Sequence, residues 1–265
     1  MKFKLFTSLF VALFSFIPAL TVFAQGEMPK SQLVAVHEDA VIPSMVEQYE
    51  KASKNLAGLF AKHNIASMSY AVANAQDFTY LYFTPVSNLA EVEKFDAAFQ
   101  ELQKKMGTEA FQADMKLFDG CYHSHRNYMV RLHPDLSYKP EYGNQISEGL
   151  NFRQWDFYYI HPGKEDEAMA IAKEWKALYE SKKIAEGYRL YMGDLGTDMP
   201  VIIVAQSAKS AIDFHSKSEA NLKTFGDAGP ALLKKTWSVV RKFEQKDGFI
   251  RPDLSHLPTP GTKPN

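Results

Sequence analysis

The sequence predicts an α+β protein in which a β-α-β-β-α-β unit occurs twice in tandem. Three observations predict this class. The run PDLS at 134–137 recurs at 252–255, an offset of 118 residues. Two further matches lie upstream in the same order, at offsets of 119 and 124 residues. Both halves also alternate in the same order between the apolar period of strands and that of helices.

The first copy contains four predicted strands and three predicted helices. These elements are strand 33–37, a helix over 43–63, strands 67–73 and 78–84, helices 88–106 and 108–118, and strand 123–132. Pro43 stands at a favourable first-turn position of its helix. Asn88 and Glu91 have the spacing of a capping box, and Gly107 ends the helix that they begin.

The second copy repeats this order. Its elements are strand 154–161, helix 164–183, strands 188–192 and 200–206, helices 210–222 and 228–237, and strand 238–244. We therefore expect the first ferredoxin-like unit to span 25–138 and the second 152–256, with a linker over 139–151. Residues 257–265 include three prolines and predict a flexible tail.

The first 24 residues predict an export signal. Lys2 and Lys4 precede an uncharged apolar stretch over 5–20, and Val22 and Ala24 supply small residues before Gln25. This is the layout of a secretory signal peptide. We expect an exported protein, periplasmic or secreted, without a stable membrane anchor after cleavage. An uncleaved anchor is the alternative, because residues 5–24 are just long enough to span a bilayer.

Composition excludes several classes. Lys and Arg number 30 against 31 Asp and Glu, for a net charge of −1, which argues against nucleic acid as a partner. Hydrophobic residues make up 46% of the chain, enough for a sizeable core. Cys121 is the single cysteine, so an intrachain disulfide is excluded, and we expect a small buried core residue.

The predicted strands are apolar or aromatic on both faces, which is typical of a sheet buried on both sides. In a ferredoxin-like unit the helices cover one face only, so the other face needs a partner. We expect the two antiparallel sheets to face each other as a pseudo-dimeric α/β barrel. The alternative is that each unit pairs with another chain, which would make a homo-oligomer.

In element order and apolar pattern, residues 30–256 resemble the dimeric α/β-barrel superfamily, with both halves fused in one chain. Within it the sequence looks most like the two-repeat relatives of the NIPSNAP and antibiotic-biosynthesis monooxygenase type. The resemblance implies the barrel fold. Families with this fold include cofactor-free oxygenases, haem enzymes and small binding proteins, so the fold does not choose a function.

Three histidines form the first candidate site. We expect His37, at the end of the first strand, to lie beside His123, at the start of the last. His123 and His125 are two residues apart and share a sheet face. The two are the candidate catalytic bases. With His37 they are also the candidate ligands of a zinc or other divalent ion. The alternative is that polar side chains simply collect at solvated strand ends. In the second copy we place His161 at the position of His37.

Aromatic and basic side chains extend this candidate site. Tyr70, Tyr80 and Tyr82 predict an aromatic lining, and with His37 and Arg126 they are the candidate ligand-binding residues. Enrichment of aromatic residues in strands is the alternative explanation for the tyrosines. Two roles are open for Arg126. It binds an anionic ligand, or it forms an ion pair with Asp156 or Glu244 across the barrel seam.

The sequence lacks G-x-S-x-G, H-E-x-x-H, P-loop, G-x-G-x-x-G and C-x-x-C-H motifs. We therefore expect no cofactor, with non-covalent haem left open. The favoured function is binding of a small apolar or aromatic molecule in a half-barrel cavity, and a cofactor-free oxygenase is its catalytic form. One alternative is a non-catalytic interaction protein. The other is a metal or haem protein that uses the histidine cluster.

Overall fold

The computed structural model describes residues 31–139 and 149–258. The predicted signal over 1–24, most of the linker and most of the tail lie outside the described residues. The first unit comprises β1 (Gln32–Val41), α1 (Val46–Lys62), β2 (Ala71–Ala75), β3 (Thr79–Val86), α2 (Glu93–Met106), α3 (Thr108–Met115) and β4 (Tyr122–Leu132). The second comprises β5 (Phe152–Ile160), α4 (Glu165–Ser181), β6 (Tyr188–Gly193), β7 (Val201–Ala208), α5 (Ala211–Phe225), α6 (Ala228–Val239) and β8 (Val240–Ile250).

The eight strands close into one antiparallel barrel in the order β1-β3-β2-β8-β5-β7-β6-β4. Each unit has the strand order of a ferredoxin-like sheet, and the two sheets join at the β2–β8 and β4–β6 seams. Apolar side chains from both units fill the interior, among them Val36, Leu81, Trp155 and Ile203. The predicted fold class, a tandem duplication whose sheets face each other as a barrel, is confirmed.

Helices cover the outside of the barrel. Tyr49 and Phe60 of α1 and Leu102 of α2 pack on the outer face of the first sheet. Ile171 of α4 and Leu232 of α6 pack on the outer face of the second. Each half therefore has a helix-side core of its own, separated by the sheet from the shared interior of the barrel. None of the helices within 31–139 and 149–258 is long and apolar enough to cross a membrane.

The repeated PDLS run ties each unit to the other. The Ser137 hydroxyl accepts a hydrogen bond from the backbone N–H of Leu190, on β6, at 2.9 Å. The Ser255 hydroxyl accepts one from the backbone N–H of Val72, on β2, at 2.8 Å. Each motif thus follows the last strand of one unit and docks on the second strand of the other.

The leucines of the same motif are buried in the opposite unit. Leu136 belongs to the helix-side core of the second unit, and Leu254 to that of the first. Both side chains are at most 2% exposed. The exchange explains why this run recurs, because one set of contacts is made twice around the pseudo-twofold axis.

Three strand boundaries differ from the prediction by four residues or more. β1 continues to Val41 instead of ending at His37, β8 continues to Ile250, and β2 begins at Ala71. β1 extends through two charged residues because both are paired: Glu38 with Arg126 and Asp39 with Tyr49. In the sequence, the two charged residues after His37 indicated the end of the strand. In the structure the strand continues, because a neighbouring strand and a helix supply partners for both carboxylates.

Candidate functional site

His37 lies in the middle of β1, opposite Asn127 of β4 and not beside His123. Its Nδ1 is 2.8 Å from Oδ1 of Asn127, and its Nε2 is 3.0 Å from Oδ1 of Asp39. The ring of His125 is 5.7 Å away between centroids. The register of β1 and β4 shifts at Ala40–Val41, opposite Tyr122–Ser124, so His123 falls at the bulge.

The predicted three-histidine metal cluster is not formed. Both ring nitrogens of His37 face oxygen atoms of Asn127 and Asp39. His123 is displaced by the bulge, which breaks the face it was expected to share with His125. In the part of the chain that the structure describes, no three His, Cys, Asp or Glu side chains are arranged to hold a metal ion.

The environment of His37 favours its protonated form. Burial alone lowers the pKa of the imidazole, but the hydrogen bond and charge of Asp39, with Asn127 and Glu38, outweigh it, and the pKa lies above 6.5. Asp39 therefore stabilises the protonated form of the His37 imidazole.

The tyrosines of the first unit fill the space beneath α1. The Tyr49 hydroxyl donates to Asp39 at 2.6 Å and lies 2.8 Å from the Tyr82 hydroxyl. The Ser53 hydroxyl is 2.9 Å from that of Tyr82. These four side chains form a continuous polar chain between helix and sheet, so the predicted ligand-facing Tyr82 is occupied by contacts within the protein.

Tyr70 and Tyr80 are also packed inside the first unit. The Tyr80 hydroxyl donates to Glu50 at 2.5 Å, and Glu50 in turn pairs with Arg251. Tyr70 packs against Phe60, and within the described ranges its buried hydroxyl has no hydrogen-bond partner. Neither tyrosine borders the helix-side cavity described below, which belongs to the second unit.

Arg126 does not cross the barrel seam. Its guanidinium forms two hydrogen bonds, at 2.9 and 3.1 Å, with the carboxylate of Glu38 on the adjacent strand. The expected partners Asp156 and Glu244 are instead bound by Gln245 and Tyr159. The prediction of a seam ion pair was wrong for this residue.

The second unit has an open cavity where the first is filled. A cavity of about 280 Å³ lies between the outer face of the second sheet and helices α4 and α6. Its lining is mainly apolar and includes Ile160, Ala168, Ile171, Ala172, Trp175, Leu190, Ile202, Val204 and Val239. The volume is close to the lower end of the range of about 300–1,000 Å³ for ligand pockets, so it suits a small ligand.

Register explains why the cavity exists. His37 pairs with Asn127 and Tyr82, and Asp156 pairs in the same way with Gln245 and Val204. Val204 therefore stands where the first unit has Tyr82. At the offset of 119 residues, Ala168 and Ala172 stand where α1 has Tyr49 and Ser53. Three substitutions by smaller side chains leave the space open.

The same register corrects the predicted place of His161. The position equivalent to His37 is Asp156, in the middle of β5. His161 follows the last residue of that strand, Ile160, and its backbone N–H bonds to Val239.

Polar groups gather around Asp156 in the cavity wall. The Gln245 amide donates to the Asp156 carboxylate at 2.8 Å. Burial raises the pKa of Asp156, and the charge of Asp247 adds to the rise. Tyr158, Tyr179 and Tyr188 also line the cavity, and burial raises the pKa of Tyr179 to about 12. Asp156 is the single acidic residue among the lining residues that the structure describes.

One lining tyrosine has an unused hydroxyl. The Tyr188 hydroxyl is buried and has no hydrogen-bond partner among the described residues. Its ring lies 5.0 Å from that of Tyr179, between centroids. Leaving a buried hydroxyl unpaired costs about 1–3 kcal/mol, so a ligand that supplies a partner here would be favoured.

An aromatic cluster borders the cavity on α6 and β8. Tyr158 contacts Phe243 with a centroid distance of 5.1 Å, and Trp237 contacts Phe243 at 5.3 Å. Trp237 is 44% exposed and Phe243 39% exposed. Of these three rings, that of Tyr158 lines the cavity, and the partly exposed rings of Trp237 and Phe243 pack beside it.

Tyrosine is the one common axial ligand of haem that the described lining of this cavity offers. In the described part of the chain, that lining contains no histidine, cysteine or methionine.

In the sequence, Asp156 was considered only as a possible partner of Arg126 across the barrel seam. A signal for Asp156 was present. Aligning the two copies at one offset of 119 residues places it on His37, the residue already singled out. The same alignment places two alanines opposite Tyr49 and Ser53, which indicates space beneath α4.

Comparison with known proteins supports the fold. No protein-family model matches the chain, and no curated protein matches it. Among solved structures, an anthrone oxidase-like protein is similar over 83% of this chain and 91% of its own, with 14% identity and a TM-score of 0.54. A candidate monooxygenase from Fusobacterium nucleatum is similar over 84% and 94%, with 15% identity and a TM-score of 0.52. Another from Lactobacillus acidophilus is similar over 83% and 94%, with 5% identity and a TM-score of 0.50. The chain thus has the fold of the dimeric α+β barrel proteins, with both halves in one polypeptide.

Proposed function

We propose that this protein binds a small aromatic molecule bearing a hydroxyl group in the cavity of the second unit. The observation that carries the proposal is the 280 Å³ apolar space with a single carboxylate in its wall. Apolar walls contribute binding free energy in proportion to the ligand surface they cover. Asp156 and the hydroxyl of Tyr188 then fix the orientation of the ligand.

The charge of the wall favours a ligand that donates a hydrogen bond. Asp156 accepts one from Gln245, and its remaining lone pairs are available to a hydroxyl. A phenol satisfies the carboxylate, whereas an anionic ligand would be repelled by it. The likeness to an anthrone oxidase-like protein supports a flat, fused-ring ligand.

The second candidate function is oxygenation of such a ligand without a cofactor. The raised pKa of Asp156 favours it, because a carboxylate with a higher pKa is the stronger base. On an anthrone, Asp156 would remove a proton from the methylene carbon, and the resulting enolate would be oxidised by O₂. One anthrone and one O₂ give one anthraquinone and one water, so no external reductant is needed. This form of the proposal would relate the chain to the NIPSNAP and antibiotic-biosynthesis monooxygenase type that its element order resembles, and the likeness to two candidate monooxygenases supports it.

A titration followed by tryptophan fluorescence tests the binding proposal, since Trp175 lines the cavity. The probe is 1,8-dihydroxyanthraquinone, and the variant is Ala168→Tyr with Val204→Tyr, which fills the cavity with the side chains of the first unit. We expect saturable quenching in the wild type and its loss in this variant. The control is Tyr49→Phe, which removes a hydroxyl from the first unit and leaves the cavity unchanged. Equal binding to all three proteins would contradict the proposal.

A separate assay tests the oxygenase form. The wild type and Asp156→Asn are incubated with 1,8-dihydroxyanthrone and O₂, and the quinone absorbance is recorded against the spontaneous rate. Acceleration by the wild type alone supports catalysis. Binding without acceleration would leave a non-catalytic binding protein.

Export and assembly are further proposals. The basic, apolar and small-residue pattern over 1–24 supports secretion to the periplasm or outside the cell, without a retained anchor. The N-terminal residue and native mass of protein from an expressing bacterium test both, with Gln25 as the expected first residue. A native mass of twice that of the cleaved chain would support a homodimer.

A further inference from the structure

A second cavity, of about 90 Å³, lies inside the barrel. Both units contribute apolar walls to it, including Val36, Phe83, Trp155 and Ile203. Successive residues of a strand point to opposite faces of a sheet, so Trp155 faces this cavity while its neighbour Asp156 faces the cavity beneath α4. The sheet therefore separates two sites, and the inner one is independent of the proposed function.

One end of the inner cavity is basic. Gln32, Arg153 and Arg189 line this end, where β1, β5 and β6 begin. Arg189 is half-buried, and no hydrogen bond or ion pair joins it to another of the described residues. Arg153 is 1% exposed, and its guanidinium donates to the backbone carbonyls of Leu150 and Phe152.

The described lining contains no Asp or Glu to balance Arg189. A half-buried guanidinium has lost part of its hydration, which costs free energy. Hydrogen bonds to a carboxylate would compensate for this cost. The absence of that partner from the wall leaves room for an anionic group supplied by a ligand.

Paired polar groups lie toward the opposite end of the barrel. Arg126 pairs there with Glu38, and the Tyr128 hydroxyl donates to Glu38 at 3.2 Å. On the second unit the Tyr159 hydroxyl donates to Glu244 at 2.7 Å. The interior is therefore an apolar space with satisfied polar groups at one end and a cationic group without a partner at the other.

We propose that the barrel interior binds a small monocarboxylate whose carboxylate pairs with Arg189 and whose apolar tail enters the cavity. A guanidinium matches a carboxylate with two parallel hydrogen bonds, and the Gln32 amide adds a further donor. About 10–15 Å³ holds one water, so 90 Å³ accommodates several water-sized groups. The tail is accordingly limited to a single ring or a short alkyl chain.

The test is a ¹⁹F NMR titration with 4-fluorobenzoate, and 4-fluorobenzamide serves as the neutral probe of the same shape. We expect saturable binding of the benzoate to the wild type and at least tenfold weaker binding of the benzamide. This comparison needs no variant. Equal affinity for the two probes would overturn the proposal, because Arg189 would then make no distinction of charge.

Variants locate the site. Arg189→Gln should weaken benzoate binding at least tenfold, and Lys223→Gln, which removes an exposed cation on α5, should not change it. Ala168→Tyr with Val204→Tyr, which fills the other cavity, should also leave benzoate binding intact. Benzoate binding that is lost only in this last variant would overturn the inner site and support the cavity beneath α4 instead. Loss of quinone binding with benzoate binding intact would separate the two proposals.

Discussion

His37 and Asp156 occupy the same position in the two units, and each lies 2.8 Å from a side-chain amide on the last strand of its unit. The amide belongs to Asn127 in the first unit and to Gln245 in the second. One backbone geometry therefore presents an imidazole on one side of the barrel and a carboxylate on the other. Duplication has kept the hydrogen bond and changed the ionisable group.

The ionisation of His37 gives the first prediction. Its folded-state pKa is raised, so its contribution to stability is complete below its unfolded value of about 6.5 and is lost as the pH rises through the folded-state value. Asp39→Asn should lower the His37 pKa, measured by ¹H NMR. His256 provides an internal comparison, because burial lowers its pKa. A His37 pKa that is unchanged in the variant would show that Asp39 does not hold the proton.

Asp156→Asn should raise the thermal stability of the protein and weaken its binding of the quinone. The raised pKa means that the folded state disfavours the carboxylate, so Asp156 lowers stability as the pH rises above its unfolded value of about 3.9. The variant keeps the acceptor for Gln245 without the charge. Thermal unfolding should show a higher Tm than the wild type at pH 7, with the difference shrinking toward pH 4. Quinone binding should weaken about tenfold or more, as expected for a lost hydrogen bond to a charged group. A Tm of the variant below that of the wild type at pH 7 would contradict the prediction that the charge of Asp156 destabilises the folded state.

The exchanged PDLS contacts predict unequal effects of two equivalent substitutions. Ser137→Ala leaves the backbone N–H of Leu190 without a partner in a buried place, which should cost about 1–3 kcal/mol. Ser255→Ala should cost less, because Ser255 is partly exposed and water can replace its hydroxyl. Urea unfolding measures both, with Ser216→Ala on the exposed face of α5 as the control. A cost for Ser137→Ala no larger than that of the control would mean that the docking contact contributes nothing.

Cys121 should be chemically inert in the folded protein. It is fully buried, its thiol donates to the carbonyl of Leu117 at 3.4 Å, and burial raises its pKa. Ellman's reagent should react with one thiol per chain in denaturant and with none under native conditions. Rapid reaction of the native protein would show that the segment around Cys121 opens readily.

The architecture was predictable because duplication appears in the sequence itself. The repeated PDLS run indicated two copies, and the alternating apolar periods indicated the order of strands and helices. Because the predicted sheet was apolar on both faces, it required a second sheet as a partner. Closure of the two sheets on each other was one of two ways to meet that requirement, and pairing with another chain was the other. The strand ends were less predictable, because Glu38 and Asp39 read as a boundary until their partners on β4 and α1 are known.

The candidate site was only partly predictable. A cavity between sheet and helices lies in the second unit, whereas the tyrosines predicted to line one, Tyr70, Tyr80 and Tyr82, belong to the first. Side-chain size decided this: Tyr49 and Tyr82 fill the space that Ala168 and Val204 leave empty. The site was predicted from the histidines, because their side chains can act as bases or metal ligands. A cavity arises where side chains are small, and small apolar residues do not indicate a site by their chemistry. The predicted position of His123 beside His37 was wrong for another reason. A single-residue bulge cannot be recognised from the alternation of residues along a strand.

A crystal structure of the protein soaked with 1,8-dihydroxyanthraquinone tests the central claim most directly. We predict ligand density between α4, α6 and the second sheet, with a ligand hydroxyl within hydrogen-bond distance of Asp156. Density beside His37 and His125 in the first unit, with the cavity beneath α4 empty, would contradict it.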